Sequence, residues 1–331
     1  MLRLLTYSAM STFMSCRKQY EYRYLRGITP DDASPALSFG TAMHRGLEAL
    51  FKSLKDGEPQ AQAVEDAVTE CTLEAGAQGL EIDDILKCEV MMRKYGELYY
   101  ADDARDWSVV DVEMEFRLPF LSPLGEISDF FEFAGKVDGL VRDRDGRLFI
   151  LEHKTASRVD DGYIARIQID TQLMLYASAV ERVLGEPVVG AVYDILVKPR
   201  IVWNDGETDE EFEARKAAAK CPGRCKRKEA DTQDTFRARL DEAVTDDNFR
   251  REIIEFNADR MDEFRREIWT VSQDMGECSC YYKNTGSCTR YGVCPYMALC
   301  QHNGNLDGLD GFTIRRPHEE LSEEITGQEE I

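Results

Sequence analysis

Residues 131–154, FEFAGKVDGLVRDRDGRLFILEHK, constrain this chain more than any other stretch of its 331 residues. Two apolar runs flank Arg144-Asp145-Gly146, a three-residue connection with glycine where the backbone turns left-handed, so the segment reads as a β-hairpin. That loop pairs Asp143 with Arg147, and the same register sets Asp138 opposite Glu152. Opposed residues on paired strands project to one face, and Lys154 shares it because side chains alternate with period two. Phe149-Ile150-Leu151 and Leu140-Val141 read as central strand, so two carboxylates and an ammonium meet at the end of an apolar hairpin. Carboxylates about 5 Å apart repel each other unless a cation lies between them. A hard divalent ion such as Mg2+, which takes oxygen ligands, suits that place. A lysine beside it can orient a water or stabilise charge on a phosphate. An isolated E-x-K is most often a solvated strand face whose ion pairs contribute little. Carboxylates at the end of a buried strand need a reason to be there, and that shifts the balance.

The rest of the chain supplies the setting. Met43, Leu47, Leu50, Phe51 and Leu54 fall on one helical face, and helical periodicity continues over about 60–75 and 82–100. The period then changes, because Val110, Val112, Met114, Phe116 and Leu118 alternate with Asp111, Glu113, Glu115 and Arg117, as in a half-buried strand. Residues 163–184 return to helix and Gly190–Val197 to strand, which predicts an α/β core rather than a helical bundle. We divide the chain into a core over 1–200, a charged, mostly helical insertion over 201–272, a cysteine-rich segment over 273–302 and an acidic, poorly ordered tail over 303–331.

Charge is unevenly spread. With 41 Lys+Arg against 63 Asp+Glu the net charge is -22, which argues against a generic electrostatic binder of nucleic acid. Residues 1–30 nevertheless carry five basic residues against Glu21 alone, and 214–228 carry seven with no acid. No apolar run approaches the ~18 residues that span a bilayer, and the N-terminus lacks the apolar stretch of a signal peptide. The expectation is a cytoplasmic protein with no membrane partner. In a reducing compartment its ten cysteines are metal ligands or core residues rather than disulfides. Cys288, Cys294 and Cys300 form C-x5-C-x5-C with Cys278 and Cys280 just before, a pattern that suits Zn2+ or an iron–sulfur cluster. Cys71 and Cys88 read as core, and Cys221 and Cys225 as free.

The order of these motifs resembles the PD-(D/E)XK nucleases, more narrowly the RecB/AddB-like branch that includes CRISPR-associated RecB-like exonucleases. G-x-x-D at Asp138 and E-x-K at Glu152–Lys154 resemble its motifs II and III, with Val137 in place of the proline. Phe39-Gly40-x-x-x-His44 resembles its helical motif I, and Gln172 with Tyr176 its Q-x-x-x-Y. YSAMSTFMSCRKQYEYRY resembles its opening segment, with Cys16 in the cluster-ligand position. The likeness covers about 6–200 and 278–301 and leaves the insertion out.

The resemblance implies a restriction-endonuclease-like core, a small mixed central sheet flanked by helices, with the termini joined by a cysteine metal cluster. It implies Mg2+ or Mn2+ held by His44, Asp138, Glu152 and the backbone carbonyl of His153, with Lys154 orienting the attacking water. Gln172 and Tyr176 position Lys154 or the strand. It implies a [4Fe-4S] cluster on Cys16, Cys288, Cys294 and Cys300, with Cys280 in reserve for Cys288 and Zn2+ as the alternative metal. The function implied is a metal-dependent DNA exonuclease acting on single-stranded or duplex ends in recombination, repair or phage/CRISPR DNA processing, alongside proteins of those pathways. Arg17, Lys18 and Arg23 would grip DNA, with Tyr20, Tyr22 and Tyr24 available for stacking unless they pack in the interior. The alternative is a catalytically silent iron–sulfur or zinc DNA-binding scaffold subunit of a nuclease complex, against which the complete Asp138, Glu152 and Lys154 set speaks.

Overall fold

The computed structural model describes residues 2–31, 34–290, 292–319 and 321–326. The chain opens with β1 (Arg3–Leu5), α1 (Tyr7–Ser15), α2 (Arg17–Tyr20) and β2 (Ile28–Pro30), then the long helices α3 (Pro35–Asp56), α4 (Gln60–Ala77) and α5 (Ile82–Asp106). The middle is β3 (Ser108–Leu121), β4 (Ile127–Arg142), β5 (Leu148–Ala156), α6 (Asp161–Ile167), α7 (Thr171–Leu184) and β6 (Val188–Val197). After it come α8 (Asp209–Ala218), α9 (Gln233–Ala243), β7 (Phe249–Glu255), α10 (Ala258–Glu277), α11 (Met297–Gln301), β8 (Phe312–Ile314) and α12 (Glu323–Thr326).

Local chemistry explains the helices that position the site. Ser34 caps α3 by accepting the Leu37 N–H, Pro35 starts it, and Gly57 at φ 72° ends it. The helix expected over 163–184 is two, because Asp170 accepts the Gln172 N–H and starts α7 afresh.

The sheet runs β1-β4-β5-β6-β7, with β3 on the other edge of β4. β5 pairs with β6 in parallel and with β4 antiparallel, so the sheet is mixed, as the expected fold class requires. Alternation along the strands feeds two cores. Phe133, Leu140, Ile150 and Ile195 pack against α1, α7 and α10 on one face. Phe149, Leu151, Val192 and Leu196 pack against α3, α4, α5 and α9 on the other.

The 201–272 stretch corrects the expectation of a helical insertion with few strand signals. β7 extends the sheet beside β6, from Gly190↔Glu255 to Leu196↔Phe249. α10 adds Met261, Phe264 and Ile268 to the core. The sequence FRREIIE hides its strand because Arg251 is pointed inward, where carboxylates from β6 and α5 neutralise it.

The two ends of the chain meet through ordinary packing. β2 pairs with β8, Tyr22, Ile28, Tyr296 and Leu299 form a small core, and the Asn284 amide donates to the Ser15 carbonyl at 2.7 Å. The tail expected to be poorly ordered instead follows the body through its described residues. Leu321 is buried, the Ser322 N–H donates to Glu115 at 3.2 Å, and Arg117 donates to the Ile325 carbonyl at 2.9 Å. Among the described residues no helix is long and apolar enough to cross a membrane.

Candidate active site

The hairpin has the register read from its turn. The Asp143 N–H donates to the Arg147 carbonyl at 3.1 Å, Gly146 has φ 79°, and the ladder pairs Arg142↔Leu148 through Gly139↔Leu151. At the next position a side chain takes over from the backbone, because Asp138 Oδ2 accepts the His153 N–H at 2.8 Å. A backbone donor at the edge of the ladder is thereby satisfied by a carboxylate. This fixes Asp138 to β5 as firmly as to its own strand.

Three elements converge there. α3 brings His44, whose Nδ1 lies 3.5 Å from Asp138 Oδ2. Gly40, one turn earlier, lets α3 approach β5, since a Cβ there would stand 3.2 Å from Thr155 Oγ1. β4 brings Lys136 and Asp138, and β5 brings Glu152, His153 and Lys154. His44, Asp138 and Lys154 line one cavity of about 470 Å³. Glu152 is 1% exposed and ion-pairs with Lys154. Apart from that ion pair, neither Glu152 oxygen has a hydrogen-bond partner among the described residues.

The environment separates the two carboxyls. Burial would raise Asp138, yet His44 and His153 hold it well below the usual carboxylate range. Burial pushes Glu152 up to about 7, with the Asp138 charge adding and Lys154 opposing. Burial would lower Lys154 and His44, but the facing carboxylates outweigh it and raise both. One carboxylate is thus ionised and the other poised near neutrality, the division expected of two acids sharing a site.

Of the pair Gln172 and Tyr176, the tyrosine is the one with neighbours in the site. Tyr176, pushed up mainly by burial, stands in the field of Glu152 and Lys154, with Gln172 one turn before it on α7. Tyr176 lies against Gly135 of β4, where an added Cβ would be 3.1 Å from its ring.

Sequence reasoning missed two residues of the cavity wall. Glu113 ion-pairs with Lys136, and both line the cavity with Asp138. The alternation over 110–118 places Glu113 among outward polar residues. In the structure it has φ 56°, close to a register shift between Val109 and Asp111. A non-glycine residue there costs of order 1–3 kcal/mol, and nothing in the sequence signals it.

The donor chemistry suits a hard divalent cation. Two carboxylates and an imidazole are gathered there, oxygen and nitrogen donors of the kind such an ion takes. Among the described residues no three such donors already stand at coordinating spacing. Glu152 is drawn to Lys154 and Asp138 to His153, so a bound cation requires side-chain movement.

Cys16, Cys288, Cys294 and Cys300 line a second cavity of about 300 Å³ between the two ends of the chain. Burial pushes the Cys294 and Cys300 thiols up, and the neighbouring thiols add to it. Cys280, the reserve, is exposed and does not line this cavity. Cys71 and Cys88 are buried in the helical core, as expected.

The basic N-terminus is occupied by the fold. Arg17 stacks over Phe13 at 4.7 Å and Tyr282 at 5.1 Å, Lys18 ion-pairs with Glu21 at 2.5 Å, and Arg23 lies over Tyr24 at 5.4 Å. Tyr20, Tyr22 and Tyr24 are buried, which removes them as stacking platforms.

A family model described as the PD-(D/E)XK nuclease superfamily matches residues 4–301. No curated protein matches the chain.

Proposed function

The chain belongs to the PD-(D/E)XK nuclease superfamily, and from that premise we propose that it is a metal-dependent deoxyribonuclease, an exonuclease of the RecB-like branch. Membership points to nuclease activity on nucleic acid and to a divalent metal. The observation that carries the finer reading is Glu152, a buried carboxyl that is ion-paired with Lys154 and stands beside an ionised Asp138. A carboxylate so placed is stabilised by a cation. His44, Asp138, Glu152 and the His153 carbonyl would hold Mg2+ or Mn2+, which when bound neutralises phosphate charge and acidifies a water.

The protein's own groups do the rest. Lys154 stands a third exposed at the cavity wall, where its ammonium orients the attacking water and faces charge developing on the phosphate. Tyr176, which interacts electrostatically with Lys154, and Gln172 one turn before it would position Lys154 or the strand. For holding the DNA strand we turn from the N-terminus to the 214–228 run. Lys220, Arg224, Lys226 and Lys228 are exposed there, whereas Arg215, Lys216 and Arg227 are engaged by Glu207, Glu213 and Asp209. Recombination, repair and phage/CRISPR DNA processing are the settings that fit such an enzyme. The domain reading keeps its 1–200 core, its 273–302 cysteine segment and its acidic tail, with β7 and α10 of 201–272 now part of the core's sheet and packing.

For the second cavity we propose a structural [4Fe-4S] cluster on Cys16, Cys288, Cys294 and Cys300, with Zn2+ as the alternative. The support is four thiols from both ends of the chain around one space, since soft thiolates suit either metal. Anaerobically purified protein is expected to be brown and to contain iron; colourless protein with zinc selects the alternative.

The deciding experiment uses end-labelled single- and double-stranded DNA with Mg2+ or Mn2+, comparing wild type with Lys154→Ala. Metal-dependent cleavage lost in the variant supports the nuclease. Absence of cleavage by wild type selects the silent scaffold subunit, and equal cleavage by both removes Lys154 from the site.

A further inference from the structure

Behind the candidate site lies a buried charge cluster that the nuclease reading does not use. Asp194 of β6 and Asp103 of α5 are 1% and 2% exposed. Arg251 of β7 donates to both Asp194 oxygens, at 2.6 and 2.7 Å, and also binds Asp103. The Tyr95 hydroxyl donates to Asp194 at 2.5 Å. One guanidinium thus serves two buried carboxyls, and among the described residues no second lysine or arginine pairs with either. Burying that arrangement is costly unless it serves a purpose.

The group facing it is His153. Its ring is 3% exposed and packs against Phe51, 5.2 Å between centroids. Nε2 stands 3.8 Å from Asp194 Oδ2 and has no hydrogen-bond partner among the described residues. Nδ1 stands 3.6 Å from Asp138 Oδ2, the atom that already accepts the His153 backbone N–H. One imidazole therefore lies between the site carboxylate and the buried one. Both gaps exceed hydrogen-bond length, as is common for catalytic contacts before substrate or metal binds.

We infer that Asp194, anchored by Arg251 from the 201–272 stretch, is a positioning residue for the Asp138 carboxylate and acts through the His153 ring. This rests on Asp138 being a metal ligand, as proposed above. Asp194 and Arg251 set the ring beside Oδ2, which the His153 backbone N–H already engages, so that Asp138 would offer its other oxygen to the cation. Partners in this outer layer, when changed, typically lower metal affinity about 10–100-fold. It also gives β7 a role: the strand delivers Arg251 to the one place where Asp194 needs it.

The test measures Mn2+ binding by electron paramagnetic resonance titration, independently of cleavage, on folded protein at pH 7. Asp194→Asn is expected to weaken Mn2+ roughly 10–100-fold and to lower kcat while leaving the KM for DNA unchanged. Arg251→Lys, which keeps the charge but not the two-pronged grip, is expected to shift affinity the same way by less, and it carries the test if Asp194→Asn does not fold. Asp84→Asn is the control, a part-buried carboxylate of α5 whose ion pairs, at 2.8 Å, go to Lys87 and Lys198 rather than to His153. It is expected to lose stability but to keep wild-type Mn2+ affinity. Wild-type affinity in folded Asp194→Asn, or in Arg251→Lys where only that variant folds, or an equal loss in Asp84→Asn, overturns the inference. A wild type that binds Mn2+ yet cuts no DNA overturns only the nuclease reading, and one that binds no Mn2+ overturns both.

Discussion

Replacing Glu152 by glutamine should make the stability of the metal-free protein, relative to wild type, rise with pH while abolishing cleavage. Folded Glu152 titrates at about 7 against an ordinary 4.5. Each tenfold in proton affinity is worth about 1.36 kcal/mol, so the difference amounts to about 3 kcal/mol. The folded state binds the proton more tightly than the unfolded chain. This contribution is therefore fully present below pH 4.5 and is lost as pH rises through about 7. Asp138, whose pKa is lowered, acts in the opposite direction, but it is present in both proteins and largely cancels in the comparison. Glutamine cannot ionise. The stability of Glu152→Gln relative to wild type should thus rise by about 3 kcal/mol between pH 4.5 and pH 8. Urea denaturation in EDTA, under anaerobic conditions, reads the difference at each pH. Mn2+ should then stabilise wild type at pH 8 through preferential binding to the folded state and leave Glu152→Gln much less affected. A stability difference that does not change with pH would falsify the assignment of a strained, cation-seeking carboxyl at this position.

Other consequences can be checked separately. Gly190→Ala places a Cβ 2.2 Å from the Ile254 carbonyl across the β6–β7 ladder, so it should cost roughly 1–3 kcal/mol or more, visible as a lower thermal midpoint. Gly135→Ala puts a Cβ 2.8 Å from Phe116 and 3.1 Å from Tyr176; cleavage assays should show a lower kcat with the fold kept, and unchanged kcat would detach Tyr176 from Lys154. Changing Lys220, Lys226 and Lys228 together to alanine should weaken DNA binding at all sequences and flatten its salt dependence by about 0.7–0.9 for each phosphate no longer neutralised, read by fluorescence anisotropy at several salt concentrations. Cys16→Ser should reduce bound iron and lower the thermal midpoint together, and iron retained at wild-type level would remove Cys16 from the ligand set.

The hairpin was legible because its information is local. A three-residue loop fixes register, period two fixes faces, and so Asp138, Glu152 and Lys154 could be brought together from residue types alone. The helical motif around His44 and the Gln172–Tyr176 pair depended on a resemblance, since no local rule says that α3 and α7 approach β5. The structure brings both to the hairpin, α3 through the close approach at Gly40 and α7 through Tyr176 on Gly135. The fold class followed from the change of period, but β7 did not, because an inward arginine reads as surface in any alternation pattern. Likewise Arg17 and Lys18 read as a binding patch and proved to be occupied by aromatic rings and Glu21.

Sequence by itself determined the hairpin turn and its register, most of the elements and the set of titratable groups, which are governed by neighbours within a few positions. Only the tertiary structure decided the environment of each group, which depends on residues far apart in the chain. It made Asp138 ionised and Glu152 poised near pH 7, turned Glu113 into the cavity wall, and set Asp194 and Arg251 behind His153. The physical reason is that burial and facing charge shift proton affinity by several kcal/mol, and both are properties of packing rather than of spacing.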